Sequence, residues 1–131
     1  MAQLAYLDSS ALLKLVRLER ESEALVDYLS RPTRSVASSL CIVEVVRAVR
    51  RAGLPADDVE SLLEALDLIE VSPVLLWRTA RLDPTPLRTL DAVHVAAALM
   101  VNDGELTFVT YDARQAEAAR ANGLRVVQPG C

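Results

Sequence analysis

Four acidic residues of this chain stand where folding could bring their carboxylates together. Asp8 and Asp112 each come close behind a short apolar segment. Glu44 lies inside an apolar stretch with helical spacing, and Asp91 opens the most apolar stretch of the chain. Charged residues are rarely buried unless they are paired or bind a metal. Because hard cations prefer carboxylate oxygens, these acids are candidate ligands for Mg²⁺ or Mn²⁺.

Each of the four acids also has a simpler explanation. Asp8 and Asp112 precede predicted helix starts, where aspartate is a favoured N-cap. Glu44 is spaced to pair with Arg47 at i+3, and an acid in a first turn, such as Asp91, suits the helix dipole. If the four carboxylates converged at about 5 Å, each like-charge pair would cost about 3 kcal/mol at an effective dielectric constant of about 20. Such a cluster would need a cation or raised pKa values.

Three side chains near these acids are candidates for further roles. His94 follows Asp91 by three residues, but a single histidine in an apolar helix is more often a core or dimer-interface residue than a metal ligand. Lys14 and Arg88 are candidate phosphate contacts, and basic residues that only lie along a surface rim would look the same in the sequence.

The other aromatic and thiol side chains are predicted to be mainly structural. Trp77 is predicted to anchor packing and Tyr6 to lie in the core, whereas Tyr111, beside an acid, is a candidate for stacking on a base. Cys41 is predicted to be a small buried hydrophobe, and Cys131 is the last residue. The two cysteines lack CxxC spacing, so they offer no zinc-binding set and indicate a reducing compartment.

Length and composition predict one compact domain over residues 1–131. The chain is 52% hydrophobic and 24% charged, which excludes intrinsic disorder. Its longest apolar stretch falls short of the roughly 18 residues that a membrane-spanning helix needs. The N-terminal residues show no pattern of a secretion signal, so we expect a cytoplasmic location.

The charge of the chain is unevenly distributed. The net charge of −4 argues against a protein that coats nucleic acid. Between residues 31 and 51, however, five arginines accompany a single acid, Glu44. Because charges are screened beyond about 8 Å, a local basic face can hold a polyanion despite the overall sign. We expect two copies of the chain to combine such faces in a homodimer.

Short apolar segments alternate with amphipathic ones, which predicts parallel pairing of strands. The predicted fold is an α/β three-layer sandwich with a short-stranded, mostly parallel central sheet. Ligands of such sheets bind outside the carboxyl ends of the strands, where Asp8 and Asp112 fall. Strands are predicted at 4–7, 35–37, 68–71, 107–110 and 125–127, and helices at 9–17, 21–30, 40–51, 73–82, 89–101 and 112–121, with one more that opens at residue 55.

Four segments carry recognisable motifs in a fixed order. They are Tyr6-Leu7-Asp8-Ser9-Ser10-Ala11-Leu12-Leu13-Lys14-Leu15; Glu44 in the helix after a serine-capped turn; Leu87-Arg88-Thr89-Leu90-Asp91-Ala92-Val93-His94-Val95-Ala96-Ala97-Ala98-Leu99; and Phe108-Val109-Thr110-Tyr111-Asp112, followed by Gln115-Ala116-Glu117-Ala118-Ala119 and Gly123-Leu124. Together they resemble the motifs of PIN-domain ribonucleases, specifically the VapC-type toxins of type II toxin–antitoxin systems. The resemblance extends over about residues 6–127.

The resemblance implies a PIN-like fold and a metal-dependent endoribonuclease. It implies that Asp8, Glu44, Asp91 and Asp112 bind Mg²⁺, with Mn²⁺ able to substitute, and that Ser9 and Thr110 support them. It further implies a tRNA or rRNA substrate, products with a 5′ phosphate and a 3′ hydroxyl, and a cognate VapB-type antitoxin.

Rival interpretations of the acidic residues fit less well. A phosphoacceptor receiver domain needs an acidic pair after the first strand and a lysine after the last, but Asp8 is followed by serines and the only lysine is Lys14. An Asp-x-Asp phosphatase is disfavoured because position 10 is Ser10. A catalytically silent module that binds RNA or a protein partner remains open.

Overall fold

A computed structural model describes residues 2–131, which form five strands and seven helices in an α/β arrangement. The strands are β1 (Gln3–Leu7), β2 (Thr33–Ser38), β3 (Asp67–Ile69), β4 (Thr107–Val109) and β5 (Arg125–Val127). The helices are α1 (Ser9–Val16), α2 (Ser22–Leu29), α3 (Leu40–Arg51), α4 (Asp57–Glu64), α5 (Pro73–Ala80), α6 (Thr89–Val101) and α7 (Ala113–Ala121).

The five strands form one parallel sheet in the order β3-β2-β1-β4-β5. The chain moves outward from β1 to β2 and β3 on one side, and to β4 and β5 on the other. The order therefore reverses between β1 and β4, which leaves a crevice at the carboxyl ends of these two strands. Leu7 is paired with Val109 in this register, so Asp8 and Thr110 are the next residues along their strands.

Helices cover both faces of the sheet and give it two cores. On one face, Tyr6 and Phe108 of the sheet pack against the apolar side of α6 and part of α7. On the other face, Leu7 and Val109 pack against α1, α2, α3 and α4. This confirms the α/β sandwich predicted from the alternation of segments, and the sheet is wholly rather than mostly parallel.

Trp77 does not anchor packing, contrary to the sequence-based prediction. Its side chain is 65% exposed, with the Arg81 guanidinium carbon 5.6 Å from the ring centroid. Helix α5 instead buries Leu75 and Thr79, which lie four residues apart on one face. Trp77 stands between them in sequence and therefore projects from the opposite face.

Most element boundaries differ from the prediction by one or two residues, and two of them have a clear structural reason. Strand β3 is Asp67–Ile69 rather than 68–71, because it pairs with Val36 to Ser38 of β2 and ends where that strand ends. Helix α4 begins at Asp57, two residues after Pro55. Among residues 2–131, no helix is long and apolar enough to cross a membrane.

Candidate active site

Asp8 is the most deeply buried acid of the site, at 3% exposure. It follows β1 and caps α1, where its Oδ1 accepts hydrogen bonds from the Ala11 backbone N–H at 3.0 Å and the Ser10 hydroxyl at 2.6 Å. Burial raises the pKa of Asp8 above its ordinary value, although these hydrogen bonds and one from Thr110 oppose the rise. Asp8 is therefore both an N-cap and a buried carboxylate that favours a compensating positive charge.

Two hydroxyls hold Asp8 across the crevice between β1 and β4. Thr110 Oγ1 donates to Asp8 Oδ2 at 2.5 Å and accepts from the Asp112 backbone N–H at 3.1 Å. Ser10 Oγ accepts from the Tyr111 backbone N–H at 2.9 Å. Thr110 was predicted to support the site, whereas Ser10 was missed. The signal for Ser10 was its position in the first turn behind a capping aspartate.

Asp91 and Asp112 bring two more carboxylates to the same edge of the sheet. Burial raises the pKa of Asp91, and the charges of Asp112 and Asp8 raise it further, while Arg88 and His94 oppose the rise. Asp112 caps α7, its Oδ1 accepting from the backbone N–H groups of the following residues at 2.9 and 3.1 Å. Asp112 therefore acts as the N-cap of α7, and its charge also raises the pKa of Asp91.

Glu44 is held by side chains from other elements rather than by Arg47. Its Oε1 accepts hydrogen bonds from the Ser9 hydroxyl at 2.5 Å and from His94 Nε2 at 2.7 Å. Burial alone would raise the pKa of Glu44, but the hydrogen bond and charge of His94 and the Ser9 hydroxyl outweigh it, so the pKa is lowered. Among residues 2–131, Glu44 and Arg47 form no ion pair.

His94 is buried in the core, one of the two positions predicted for it from its apolar surroundings. It is 1% exposed, and its Nδ1 shares a 2.8 Å hydrogen bond with the Tyr6 hydroxyl. That hydroxyl also accepts from the Ser38 backbone N–H at 3.2 Å. The predicted core position of Tyr6 is confirmed, and the chain Tyr6–His94–Glu44 links the sheet to α6 and α3. Sequence reasoning did not find this link, because its members are 38 to 88 residues apart.

Asp8, Asp91 and Asp112 offer only oxygen atoms as ligands, and oxygen is the ligand atom that hard cations prefer. Their like charges raise the pKa of Asp91, and a cation would relieve that repulsion. Within the described residues, no three or more His, Cys, Asp or Glu side chains are grouped tightly enough to hold a metal. Glu44 is directed to His94 and Ser9.

Lys14, Arg88 and Tyr111 differ in how freely they could meet a ligand. Lys14 forms ion pairs with Glu19 and Glu21, which raise the pKa of Lys14. Tyr111 donates its hydroxyl to the Pro129 carbonyl at 2.7 Å, and burial raises the pKa of Tyr111 to about 12. In the described part of the chain, Arg88 is the one of these three whose side chain forms neither an ion pair nor a hydrogen bond. Its charge opposes the rise in the pKa of Asp91.

Comparison with known proteins assigns the chain to a family. The PIN domain matches residues 5–121, so the chain belongs to the PIN-domain family. The relatives it resembles include ribonuclease VapC35 of Mycobacterium tuberculosis (strain ATCC 25618 / H37Rv), which is 47% identical over 132 residues, with 95% of this chain and 96% of that protein covered. Ribonuclease VapC46 of the same strain is 42% identical over 133 residues at the same coverage.

A solved structure shows the same fold. A toxin–antitoxin complex from Klebsiella pneumoniae matches with a TM-score of 0.73 at 20% identity, covering 95% of this chain and 97% of that chain. The resemblance to VapC-type PIN-domain proteins predicted from the four motifs is thus confirmed.

Proposed function

We propose that this PIN-domain protein is a divalent-metal-dependent endoribonuclease and the toxin of a toxin–antitoxin pair. It would hydrolyse RNA phosphodiester bonds and leave a 5′ phosphate and a 3′ hydroxyl. Its similarity over 95% of its length to proteins named ribonuclease VapC35 and VapC46 supports the nuclease activity. Asp8, Glu44, Asp91 and Asp112 would form the metal-binding site.

The observation that carries this proposal is that the charges of Asp112 and Asp8, from two other elements, act on the carboxyl group of Asp91. Asp91 at the start of α6 has a pKa raised by burial and by the charges of Asp112 and Asp8. A fold that keeps like charges together in a half-buried crevice gains stability when a cation binds there. When bound, Mg²⁺ or Mn²⁺ supplies charge neutralisation at the phosphate and lowers the pKa of the attacking water.

The residues around the site would have two roles: some orient the Asp8 carboxylate, and others keep the Glu44 carboxylate ionised. Ser10 and Thr110 fix both oxygens of Asp8, so that its orientation is set before substrate arrives. His94 and Ser9 lower the pKa of Glu44 and so keep it ionised. Because Glu44 Oε1 already accepts both hydrogen bonds, its Oε2 is the atom that can accept a hydrogen bond from an attacking water.

The partners of the protein follow from the same proposal. We expect a VapB-type antitoxin to hold the toxin inactive, a tRNA or an rRNA to be the substrate, and two copies to form a homodimer in the cytoplasm. The Klebsiella pneumoniae neighbour is a toxin–antitoxin complex, which supports a protein partner. Sedimentation of the isolated chain tests the homodimer, and sequencing of cleaved cellular RNA identifies the substrate.

A second candidate function is a PIN-like module that binds RNA or a partner without cutting. The observation in its favour is that Glu44 is engaged by His94 and Ser9 and that, in residues 2–131, no group of three ligands is tightly assembled. The two functions differ in one outcome, because only the nuclease forms new RNA ends that depend on the divalent ion.

The test is a cleavage assay on total tRNA and rRNA with Mg²⁺, Mn²⁺ or EDTA. Asp91→Asn removes the charge that couples to Asp112 and Asp8, and we expect a loss of more than about 100-fold in rate. Asp57→Asn is the matched control, since Asp57 is also a first-turn acid, in α4. Equal rates for Asp91→Asn and the wild type would overturn the proposal. RNA binding without cleavage by the wild type would favour the silent module.

A further inference from the structure

A cleft of about 630 Å³ opens directly beside Asp91. It lies between α7 and the segment from Asp83 to Arg88 that leads into α6. Asn122 at the end of α7 donates a 2.8 Å hydrogen bond to the Asp83 carbonyl, which ties this segment to the helix. The volume is that of a small-ligand site, and Asp91 is shared with the candidate active site.

Two arginines line the cleft at the same end as Asp91. Arg88 precedes α6, Arg114 lies in the first turn of α7, and both line the cleft. The N-terminal ends of these two helices therefore border the same cleft. Within residues 2–131, neither guanidinium forms an ion pair or a hydrogen bond. Unpaired guanidinium groups are suited to bind phosphate through two parallel hydrogen bonds.

The rest of the cleft has a different chemistry. Pro86, Leu87 and Ala118 give it apolar walls on which a planar group can pack. Glu117, one turn along α7 from Arg114, and Asp83 add carboxylates. These acids would repel a second phosphate but can accept hydrogen bonds from the amino groups of a base. The cleft therefore changes along α7 from an end that suits a phosphate to an end that suits a base.

We propose that this cleft is the binding subsite for one nucleotide of the RNA, next to the phosphodiester bond that is cut. Arg88 and Arg114 hold its phosphate, and the apolar walls and Glu117 receive its base. This inference rests on the proposed function, because it places a substrate in a cleft that shares Asp91 with the active site. It assigns Arg114 to substrate binding, a residue that none of the sequence motifs singled out.

The test uses the full chain, made inactive by Asp8→Asn, and a short end-labelled single-stranded RNA of random sequence. In this background, Arg114→Ala is compared with Arg120→Ala, which removes an exposed arginine from the same helix outside the cleft. Fluorescence anisotropy should show an affinity loss of about tenfold for Arg114→Ala alone. The slope of log affinity against log salt should fall by about 0.7, as for the loss of one phosphate contact to a single strand.

A second pair of variants tests the cleft rather than the charge. Ala121 is an exposed residue that lines the cleft at the end of α7, and Ala121→Trp should fill it and weaken binding. Ala65→Trp places the same bulk at an exposed position at the end of α4 and should not. If the wild type cleaves RNA but both members of each pair bind alike, the subsite is wrong and the proposed function stands. A wild type without metal-dependent cleavage overturns both.

Discussion

At the scale of single residues, the carboxyl groups of one crevice have pKa values that are shifted in opposite directions. Burial raises the pKa of Asp8 and of Asp91, whereas the bonds from His94 and Ser9 lower the pKa of Glu44. The first two carboxylates therefore gain most from a bound cation, and the third is already supplied with partners. This difference is why we place Glu44 at the attacking water and give Asp8 and Asp91 the larger share of metal binding.

Asp8→Asn should stabilise the metal-free protein while it abolishes cleavage. The folded-state pKa of Asp8 is raised, so the folded protein binds the proton more tightly and loses stability as pH rises through this pKa. Asparagine carries no charge and still caps α1. We expect the Tm of the variant in EDTA to exceed that of the wild type at neutral pH, with the difference vanishing below about pH 4.

The control for this experiment is Asp58→Asn, which removes an exposed acid from the first turn of α4. Its Tm should track the wild type at every pH. A Tm gain for Asp8→Asn that grew toward low pH would have the wrong sign and would contradict the burial of an ionisable carboxyl at this position.

Tyr6→Phe should lower stability more than its single lost oxygen suggests. The Tyr6 hydroxyl serves both the Ser38 backbone N–H and His94 Nδ1 in a fully buried position. Without it, both groups lack their partner, and an unsatisfied buried polar group costs about 1–3 kcal/mol. Urea unfolding should show a loss of this size. Tyr111→Phe, which removes one half-buried hydrogen bond to Pro129, should cost less.

At the scale of elements, register explains how distant residues meet. Strands β1 and β4 pair with Leu7 opposite Val109, so the residues that follow, Asp8 and Thr110, are neighbours at the carboxyl edge of the sheet. The Asp8 backbone N–H donates to the Val109 carbonyl at 3.3 Å, which continues the ladder into the site. The pairing of two short strands thus places the Asp8 carboxylate beside the Thr110 hydroxyl directly at the strand ends.

Helix α3 has one face buried in the core and another exposed to solvent. Cys41 and Val45 lie on its buried face, while Ile42 and Val43 are 44% and 55% exposed. The burial predicted for Cys41 is confirmed. Since burial raises the pKa of the Cys41 thiol to about 11, only about one molecule in a thousand holds the thiolate at pH 8.

Thiol alkylation should therefore distinguish the two cysteines. In the folded protein at pH 8, we expect iodoacetamide to modify the exposed Cys131 and leave Cys41 unmodified, because the thiolate is the reacting form. Mass spectrometry of peptides reads out each site. In urea both cysteines should react. Rapid modification of Cys41 in the folded protein would show that α3 opens readily, and would weaken the assignment of Glu44, which lies on the same helix.

At the scale of the whole molecule, the sequence predicted what depends on local pattern. The alternation of segments predicted the parallel sheet, and Asp8 and Asp112 were predicted at its carboxyl edge. Local pattern failed where neighbours in space decide. Trp77 was predicted to be a packing residue, but α5 buries Leu75 and Thr79 instead. The hydrogen bond between Glu44 and His94 connects α3 with α6, two helices that are distant in sequence and meet only in the folded protein.

The cleft beside Asp91 was beyond sequence reasoning for a related reason. Arg114 lies outside the segments that carry the motifs, and its position next to Arg88 appears only when α6 and α7 are packed together. Nothing in the spacing of these residues, 26 apart along the chain, indicates a shared cavity. Cavities depend on tertiary packing, whereas motifs are read within single elements.

The last prediction concerns the stability of the molecule as a whole. If Asp8, Asp91 and Asp112 bind a divalent ion, Mn²⁺ should raise the Tm saturably, because a ligand that binds only the folded state stabilises it by about 2.7 kcal/mol at 100 times its Kd. For a chain of this length that is a rise of several degrees. Asp91→Asn should abolish most of the rise, whereas Asp57→Asn should keep it. A Tm that is the same in Mn²⁺ and EDTA would show that the repulsion among these acids is relieved by protons, and the metal-dependent nuclease would lose its physical basis.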